Sequence, residues 1–435
     1  MKILKSIVAA ALALAAVLPS AAKDRKEILK VYNWSNYIAE GVVEDFQAWY
    51  KEQTGEEIEV IYMTFDVNEA MLSKIEKGHE DYDVVCPSDY IIERMLNTGL
   101  LLPLDFAALA QTGTPNYMEM YTSPYIREMF SKINPEVDAN NYSVAFMWGT
   151  TGILYNPEFV TREEASTWNC LRNEKFFGKI LMKDAPRDVY SPILMYLKQD
   201  ELRSGAVTID ELMYDASDES LAAVEAFLME CKPGICGFEA DLGKEQMTKN
   251  RAWLSLNWSG DAMWAIEEAG DVGVTLDYVV PEEGSNVWFD GWVIPRYSKN
   301  VKAATYWIDF MCRPDIAIRN MDETGYIAAS GAWEVLESVI DEEFDPIDLS
   351  YFFGEEAKSV CVNPVQYPDA SVIEKCALMH DWGDETERLL SMWQNVKGSS
   401  VGASAFIIIG LVIVAAAAYV VFSSKSKKNR RKSRR

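Results

Sequence analysis

The sequence predicts an α/β protein built from two lobes. Between residues 28 and 99, β-branched apolar segments alternate with segments in which apolar residues recur at helical spacing. This order of strands and helices is typical of a parallel sheet. About 380 residues lie between the two terminal segments, which is enough chain for two ordinary domains. We expect two extended apolar runs, Ser143–Tyr155 and Trp288–Pro295, to cross between the lobes.

The first part of the chain is expected to alternate three strands with three helices. Strands are predicted at Ile28–Trp34, Glu57–Met63 and Tyr82–Cys86, and helices at 42–54, at 68–77 and through Met95. Each of these helices is followed by a glycine, at Gly55, Gly78 and Gly99. Glycine readily adopts the left-handed conformation that ends a helix, so these residues are expected to terminate the helices.

The later part of the chain continues the alternation. Strands are predicted at Lys179–Lys183, Trp253–Trp258 and Val274–Val280, and helices at Val189–Leu197, within 210–232, within 260–270, at Lys302–Arg313 and, as a last long helix, at Val372–Val396. We assign 23–146 and 290–326 to the first lobe and 147–289 and 327–396 to the second lobe, with a linker at 397–404.

Both ends of the chain carry export and membrane signals. Lys2 and Lys5 precede an apolar stretch and small residues up to Ala22, so residues 1–22 are predicted to be a secretory signal peptide. Residues 405–422 contain no charge and would span roughly 27 Å as a helix. The basic tail at 423–435 is expected in the cytoplasm by the positive-inside rule. The sequence thus predicts an exported body anchored by one C-terminal transmembrane helix.

The body of the protein is strongly acidic. The whole chain has a formal charge of −26, although its last 13 residues contain eight Lys or Arg and no acid. An acidic surface attracts cations and repels nucleic acid. No basic patch outside the tail would bind nucleic acid, so we expect a cationic partner instead.

The cysteines and histidines disfavour a metal site. Seven Cys are dispersed, no paired CxxC motif is present, and the chain has only two His, so neither zinc nor another cofactor is expected. Cys231 and Cys236 bracket a turn-forming Lys-Pro-Gly-Ile segment and are the best candidates for a disulfide. The other cysteines are expected to be small buried thiols.

Four clusters combine aromatic residues with acids or small polar residues. They lie at Tyr32–Tyr37, Ser88–Tyr90, Asn257–Asp261 and Trp288–Asp290. Aromatic faces attract organic cations, and carboxylates bind ammonium groups through charge-assisted hydrogen bonds. The first two clusters follow the carboxyl ends of predicted strands, where open α/β sheets bind ligands. The sequence therefore predicts a site for an elongated amine with several positive charges.

Six motifs in order carry a family resemblance. They are Tyr32–Tyr37, Tyr82–Ser88, Asp184–Asp188, Trp258–Asp261, Trp288–Asp290 and Glu323–Tyr326. With these motifs, residues 28–395 resemble the spermidine/putrescine-binding periplasmic proteins of ABC importers. The resemblance implies a type II periplasmic-binding-protein fold whose two lobes close on a polyamine. It also implies a monomer without catalytic activity that delivers its ligand to an ABC permease.

The resemblance implies twelve ligand-binding residues. They are Trp34, Ser35, Asn36, Tyr37, Ser88, Tyr90, Asp188, Trp258, Asp261, Trp288, Asp290 and Tyr326. The tryptophans and Tyr37 would wall the site, and the three aspartates would anchor ammonium groups. Many members carry an acid where this chain has Asn36, so one countercharge is missing. We expect Trp288–Asp290 to face Trp34 and Tyr37 across the cleft.

Three alternatives remain open from the sequence. One is an enzyme that uses two carboxylates, such as a glycosidase, although no pair of acids is singled out. Another is a sensor ectodomain for a cationic small molecule, acting through a membrane partner. The last keeps the fold and changes the solute to a sugar, an amino acid or ferric iron.

Overall fold

The computed structural model describes residues 24–239 and 244–398. The predicted signal peptide at 1–22, the linker residues from 399 on, the predicted transmembrane segment at 405–422 and the tail at 423–435 lie outside these residues. Within the two described ranges, no helix combines the length and the apolar character needed to cross a membrane.

Thirteen strands form in the described residues. They are β1 Ile28–Trp34, β2 Glu59–Phe65, β3 Val84–Val85, β4 Ser143–Tyr155, β5 Ile180–Lys183, β6 Ile235–Glu239, β7 Leu254–Trp258, β8 Asp277–Val279, β9 Ser285–Val293, β10 Ile327–Ala328, β11 Pro346–Ile347, β12 Val360–Cys361 and β13 Cys376–Leu378. All but β11 and β12 join one sheet with the order β2-β1-β3-β9-β4-β7-β5-β6; β8 and β10 also pair with β4, and β13 pairs with β9.

Nineteen α-helices connect these strands within the same residues. They are α1 Val42–Thr54, α2 Asn68–Glu76, α3 Asp89–Asn97, α4 Ala107–Thr112, α5 Tyr117–Tyr121, α6 Pro124–Lys132, α7 Arg162–Ala165, α8 Pro186–Leu197, α9 Gln199–Ser204, α10 Ile209–Met213, α11 Asp218–Cys231, α12 Lys244–Thr248, α13 Ser259–Asp271, α14 Val301–Met311, α15 Pro314–Thr324, α16 Trp333–Ser338, α17 Ser350–Phe353, α18 Ala370–Ile373 and α19 Thr386–Gly398. The predicted α/β alternation is confirmed, and Gly55 ends α1 with a φ of 74°.

Two long antiparallel strands join the halves of the sheet. On one side, β1 pairs in parallel with β2 and β3, and on the other side β5 pairs in parallel with β6 and β7. The first part of β4 pairs with β9, whereas its last five residues, Thr151–Tyr155, pair with β7. Both strands are buried along their whole length. They therefore form the connection between the halves and the floor of the space between them.

The pairing of β4 with β9 contains one irregularity. Ala145 pairs with Gly291 and Met147 pairs with Asp290, so Phe146 is an extra residue on β4. Such a β-bulge leaves one residue unpaired and bends the strand that carries it.

The buried side chains divide into two large clusters and a smaller one. The first combines buried residues of the β1–β3 half with apolar residues of β9, and the second combines Ile153, Phe227, Leu256 and other buried residues of the second half with the last helix. The segment 327–396, which was predicted to belong to the second lobe, is divided between them. Its Leu336 and Phe352 pack in the first cluster, whereas Leu389 and Trp393 pack in the second.

Two expectations about local structure are wrong. The last long helix predicted at Val372–Val396 is broken into α18 and α19, because Cys376–Leu378 form β13 and pair in parallel with β9. The disulfide between Cys231 and Cys236 is absent, and both thiols are free. Cys231 ends helix α11 with its side chain buried, while Cys236 is exposed on β6, so the two side chains lie in different environments.

Candidate binding site

All twelve residues predicted for the site line one cleft between the two halves of the sheet. The first half contributes residues that follow the carboxyl ends of β1 and β3, and the second half contributes residues that follow β5 and β7. This is the edge at which parallel sheets bind ligands. The central strand β9 contributes two further side chains, Trp288 and Asp290, which lie two residues apart and hence on the same face.

Asp290 lies at the centre of the polar contacts in the cleft. Its Oδ2 accepts a hydrogen bond of 2.7 Å from the Tyr37 hydroxyl, and its Oδ1 accepts one of 2.6 Å from the Ser88 hydroxyl. The residue is only 5% exposed. Tyr37 was expected to face Asp290 across the cleft, and this is wrong, because the two side chains are in direct contact on the same side.

Burial changes the ionisation of the carboxylates in and behind the cleft. The pKa of Asp290 is raised to about 7, chiefly because burial disfavours the charged form; the hydrogen bonds from Ser88 and Tyr37 oppose this rise, and the charge of Asp188 adds to it. Burial also raises the pKa of Asp188, and it raises that of Asp89, behind the cleft, well above its usual range. Burial therefore makes the negative charge of these carboxylates unfavourable in the cleft.

Asp188 approaches the cleft from the other half of the molecule. It lies in the first turn of α8, which begins three residues before the predicted helix, and the helix dipole favours a negative charge there. Its Oδ1 accepts hydrogen bonds from Asn286 Nδ2 at 3.0 Å and from Thr151 Oγ1 at 3.2 Å. In the described residues, neither Asp188 nor Asp290 forms an ion pair with a Lys or Arg side chain.

Four aromatic side chains form one connected wall. The Trp288 ring meets Trp258 edge-on at 6.4 Å between centroids and Tyr326 at 5.6 Å, and Tyr326 meets Tyr37 at 5.1 Å. Trp288, Tyr37 and Tyr326 are buried, and Trp258 is partly exposed. Such a wall is suited to the methylene chain of an organic cation and to its positive charge.

Asp261 differs from the other two aspartates because a lysine already occupies its carboxylate. Lys183 Nζ lies 2.6 Å from Asp261 Oδ2 and 3.1 Å from Asn257 Oδ1. The sequence analysis did not identify this lysine, which is 78 residues away along the chain.

Arg187 is a second buried cation at the cleft. Its Nη1 donates to the carbonyl of His380 at 2.7 Å, and its Nη2 donates to Thr386 Oγ1 at 2.9 Å. The guanidinium also lies 4.6 Å from the centre of the Tyr90 ring, which belongs to the other half of the molecule. Arg187 thus contacts the aromatic face that Tyr90 was expected to offer to a ligand.

The rim of the cleft contains residues that the sequence analysis missed. Asp66, Asn68 and Glu69 follow the carboxyl end of β2, so the rule that found Trp34 and Ser88 could have found them as well. Ser35 Oγ donates to Asp66 Oδ1 at 2.7 Å. Asn68 Nδ2 donates to Ser88 Oγ at 3.0 Å and to the Tyr90 hydroxyl at 3.1 Å.

Asn36 lies at the rim in a left-handed conformation with a φ of 53°. Asparagine tolerates this region better than most residues with a side chain. Asn36, where many family members carry an acid, is therefore exposed. The buried negative charge of the cleft belongs to Asp188 and Asp290 instead.

Replacing Gly260 with Ala is expected to displace Tyr326 from the aromatic wall. A Cβ at residue 260 would overlap the Tyr326 ring, with Cδ2 only 2.6 Å away. Overpacking of this kind costs about 1–3 kcal/mol of unfolding free energy. Denaturant unfolding of Gly260→Ala should show this loss. Gly270→Ala, in the same helix with open space around it, should be as stable as the parent or up to about 1 kcal/mol more stable, because alanine favours the helix. Equal stability of both variants would contradict the tight contact.

The fold and the cleft define a class of protein. The profile of the bacterial extracellular solute-binding protein family matches residues 42–333, and the chain belongs to this family. The family resemblance predicted from the six motifs is confirmed by the relatives described next.

The chain is similar to proteins named for polyamine binding. It is 27% identical to the putrescine-binding periplasmic protein PotF of Escherichia coli over 91% of this chain and 98% of that protein. It is also 27% identical to the spermidine/putrescine-binding periplasmic protein of the same organism, over 89% and 97% of the two chains. Among solved structures, the spermidine/putrescine ABC transporter substrate-binding protein PotD of Streptococcus pneumoniae matches with a TM-score of 0.62 and 27% identity, covering 85% of this chain and 98% of that one.

Proposed function

We propose that this protein is an extracytoplasmic substrate-binding protein that captures a polyamine, putrescine or spermidine, and delivers it to an ABC permease. The cleft supports this proposal through its combination of a continuous aromatic wall with buried carboxylates. The names of the similar proteins describe the same kind of ligand. The protein would act as a monomer and would bind its ligand without chemical change.

The observation that carries the proposal is a pair of buried cleft carboxylates, Asp290 and Asp188, that form no ion pair in the described residues. Their hydrogen bonds come from the hydroxyls of Tyr37, Ser88 and Thr151 and from the Asn286 amide. A charge buried without a partner is unfavourable, and a ligand ammonium would compensate it. The methylene chain would lie against Trp258 and Trp288, where each cation–π contact contributes about 0.5–2 kcal/mol.

Closure of the two halves would complete the capture. The ligand would touch the first half at Trp34 and Tyr37, the second half at Asp188, and β9, which connects them, at Asp290. A bound amine therefore favours the arrangement in which both halves contact it, which is the thermodynamic requirement for ligand-driven domain closure.

Titration calorimetry tests the proposal directly. The full chain, extracted in a mild non-ionic detergent, would be titrated with putrescine, cadaverine, spermidine and spermine. Heat of binding with at least one of them is expected, and mass spectrometry of the recovered ligand should show it unaltered. Folded protein that binds none of the four would exclude the polyamine assignment, and an altered ligand would indicate an enzyme.

Polyamine affinity is expected to fall as the pH falls through 7. The pKa of Asp290 is about 7, so at pH 6 most free molecules carry a protonated Asp290 that cannot pair with an ammonium. Putrescine should therefore bind about ten-fold more weakly at pH 6 than at pH 8. Calorimetry at these two pH values checks this, with Asp290→Asn as the control that should lose the pH dependence.

The same pKa shift has the opposite consequence for the stability of the protein without added ligand. A carboxyl whose folded-state pKa is raised favours folding while it is protonated. Its contribution to the free energy of unfolding should therefore decrease as pH rises from about 4, the usual pKa of an aspartate, to about 7.

Affinity for putrescine that stays constant from pH 8 to pH 6 would contradict the first of these two predictions, because it would mean that Asp290 is ionised throughout this range.

We also propose that the protein is exported and held at the outer face of the cytoplasmic membrane by residues 405–422. This proposal rests on the apolar stretch, the basic tail and the signal peptide in the sequence. The full chain should remain in the membrane pellet after alkaline carbonate extraction, while a chain ending at residue 402 should be released. Release of both chains would exclude the anchor.

A further inference from the structure

Lys183 places a positive charge behind the wall of the cleft. It is the last residue of β5, and its side chain is fully buried. In addition to its ion pair with Asp261, its Nζ lies 4.1 Å from the centre of the Trp258 ring and 3.6 Å from Glu239 Oε1. Asp261 and Trp258 would hold a ligand ammonium through a carboxylate contact and a contact with the aromatic face. The ammonium of Lys183 already makes both of these contacts.

The charge balance of the cleft follows from this lysine. Asp184 also lines the cleft, and Lys397 Nζ lies 2.7 and 2.9 Å from its two carboxylate oxygens. Asp66 at the rim is exposed, so water screens its charge. Asp188 and Asp290 are the buried cleft carboxylates that have no ion pair in the described residues. Arg187, the other buried cation at the cleft, donates to the His380 carbonyl and to the Thr386 hydroxyl. Asp188 and Asp290 can therefore each pair with one ammonium group of the ligand.

We propose that Lys183 sets the charge of the ligand, so that the cleft takes a diamine in preference to amines with three or more ammonium groups. This inference rests on the proposed function. A third ammonium that reached Asp261 would meet a carboxylate that already forms an ion pair with Lys183 at 2.6 Å. It would lose its hydration and face the like charge of Lys183.

The test compares putrescine, with two ammonium groups, and spermidine, with three. Titration calorimetry of the full chain gives the ratio of the spermidine Kd to the putrescine Kd for the parent and for Lys183→Met, which keeps the apolar stem and removes the charge. The parent should bind putrescine more tightly. In Lys183→Met the ratio should fall at least ten-fold, because Asp261 then accepts the additional ammonium.

Two matched variants separate this effect from a general change of charge. In the double variant Lys183→Met with Asp261→Asn, both members of the pair are neutral, and the ratio should stay within about three-fold of the parent value. Lys179→Met removes the same charge from a partly exposed lysine just before β5, which does not line the cleft, and should behave like the parent.

Two outcomes would overturn the inference. One is a Lys183→Met ratio within three-fold of the parent, and the other is a parent that binds spermidine at least as tightly as putrescine. The second measurement decides the matter even if Lys183→Met does not fold. Failure of every amine to bind the folded parent would instead refute the proposed function itself, whereas binding with an unchanged ratio refutes only the role of Lys183.

Discussion

Putrescine should bind at least about 30-fold more weakly when Asp290 is replaced by Asn, a loss of about 2 kcal/mol or more. The substitution keeps the size of the side chain and an oxygen that can accept a hydrogen bond from Tyr37 or Ser88. It removes the negative charge that the ligand ammonium would pair with, so the ammonium would be buried without a counterion. Titration calorimetry of both proteins at pH 8, where Asp290 is ionised in the parent, measures the loss.

The matched control is Asp66→Asn at the rim of the same cleft. It removes the same charge from an exposed position, where water screens the interaction, and affinity should change by less than about three-fold. Unfolding by denaturant should show that Asp290→Asn is as stable as the parent at pH 8 or more stable, because Asp188 and Asp89 lose a neighbouring negative charge. Unchanged affinity in Asp290→Asn would remove this residue from the binding site.

Trp288→Ala should reduce both binding and stability. The ring contacts Trp258 and Tyr326, and Gly149 lies beneath it with space for no side chain. Removing a buried tryptophan costs about 3–5 kcal/mol of unfolding free energy. The loss of the central ring should also weaken putrescine binding by roughly ten-fold or more, since a cation–π contact and apolar surface disappear together. Denaturant unfolding and calorimetry give the two values.

Trp288→Phe distinguishes the two effects of this residue. Phenylalanine keeps an aromatic face on β9 but covers less of the amine, so affinity should fall only a few-fold while the protein stays folded. If Trp288→Ala remains folded and binds putrescine like the parent, the ring has a purely structural role in the wall.

The parts of the site that depend on local pattern could be predicted from the sequence. Trp34 and Ser88 follow predicted strands, and ligands bind at the carboxyl edge of a parallel sheet, so these two residues are expected to lie together. The motifs around Asp188, Trp258 and Trp288 could be placed by resemblance. Their assembly into one cleft follows from the order of strands in the sheet.

The parts that depend on distant pairing could not be predicted. Lys183 and Asp261 are far apart in sequence, and nothing in either motif indicates that one neutralises the other. Likewise, Cys376–Leu378 continue a helical pattern of apolar residues, yet they form a strand because the edge of β9 offers unpaired backbone groups. In both cases a tertiary partner decides the outcome, and local propensity does not.

The bulge at Phe146 determines which residues of β4 face the cleft. In a regular ladder, paired residues share a face, so Ala145 lies with Gly291 and Met147 lies with Asp290, on opposite faces of the sheet. Because of the extra residue, odd-numbered residues face one side of the sheet before the bulge and the other side after it. Gly149 therefore lies beneath Trp288. If Phe146 were paired like its neighbours, without the bulge, every residue of β4 on one side of it would move to the opposite face of the sheet, and Gly149 would no longer lie beneath Trp288. The bulge therefore keeps a residue without a side chain under the ring at the centre of the cleft.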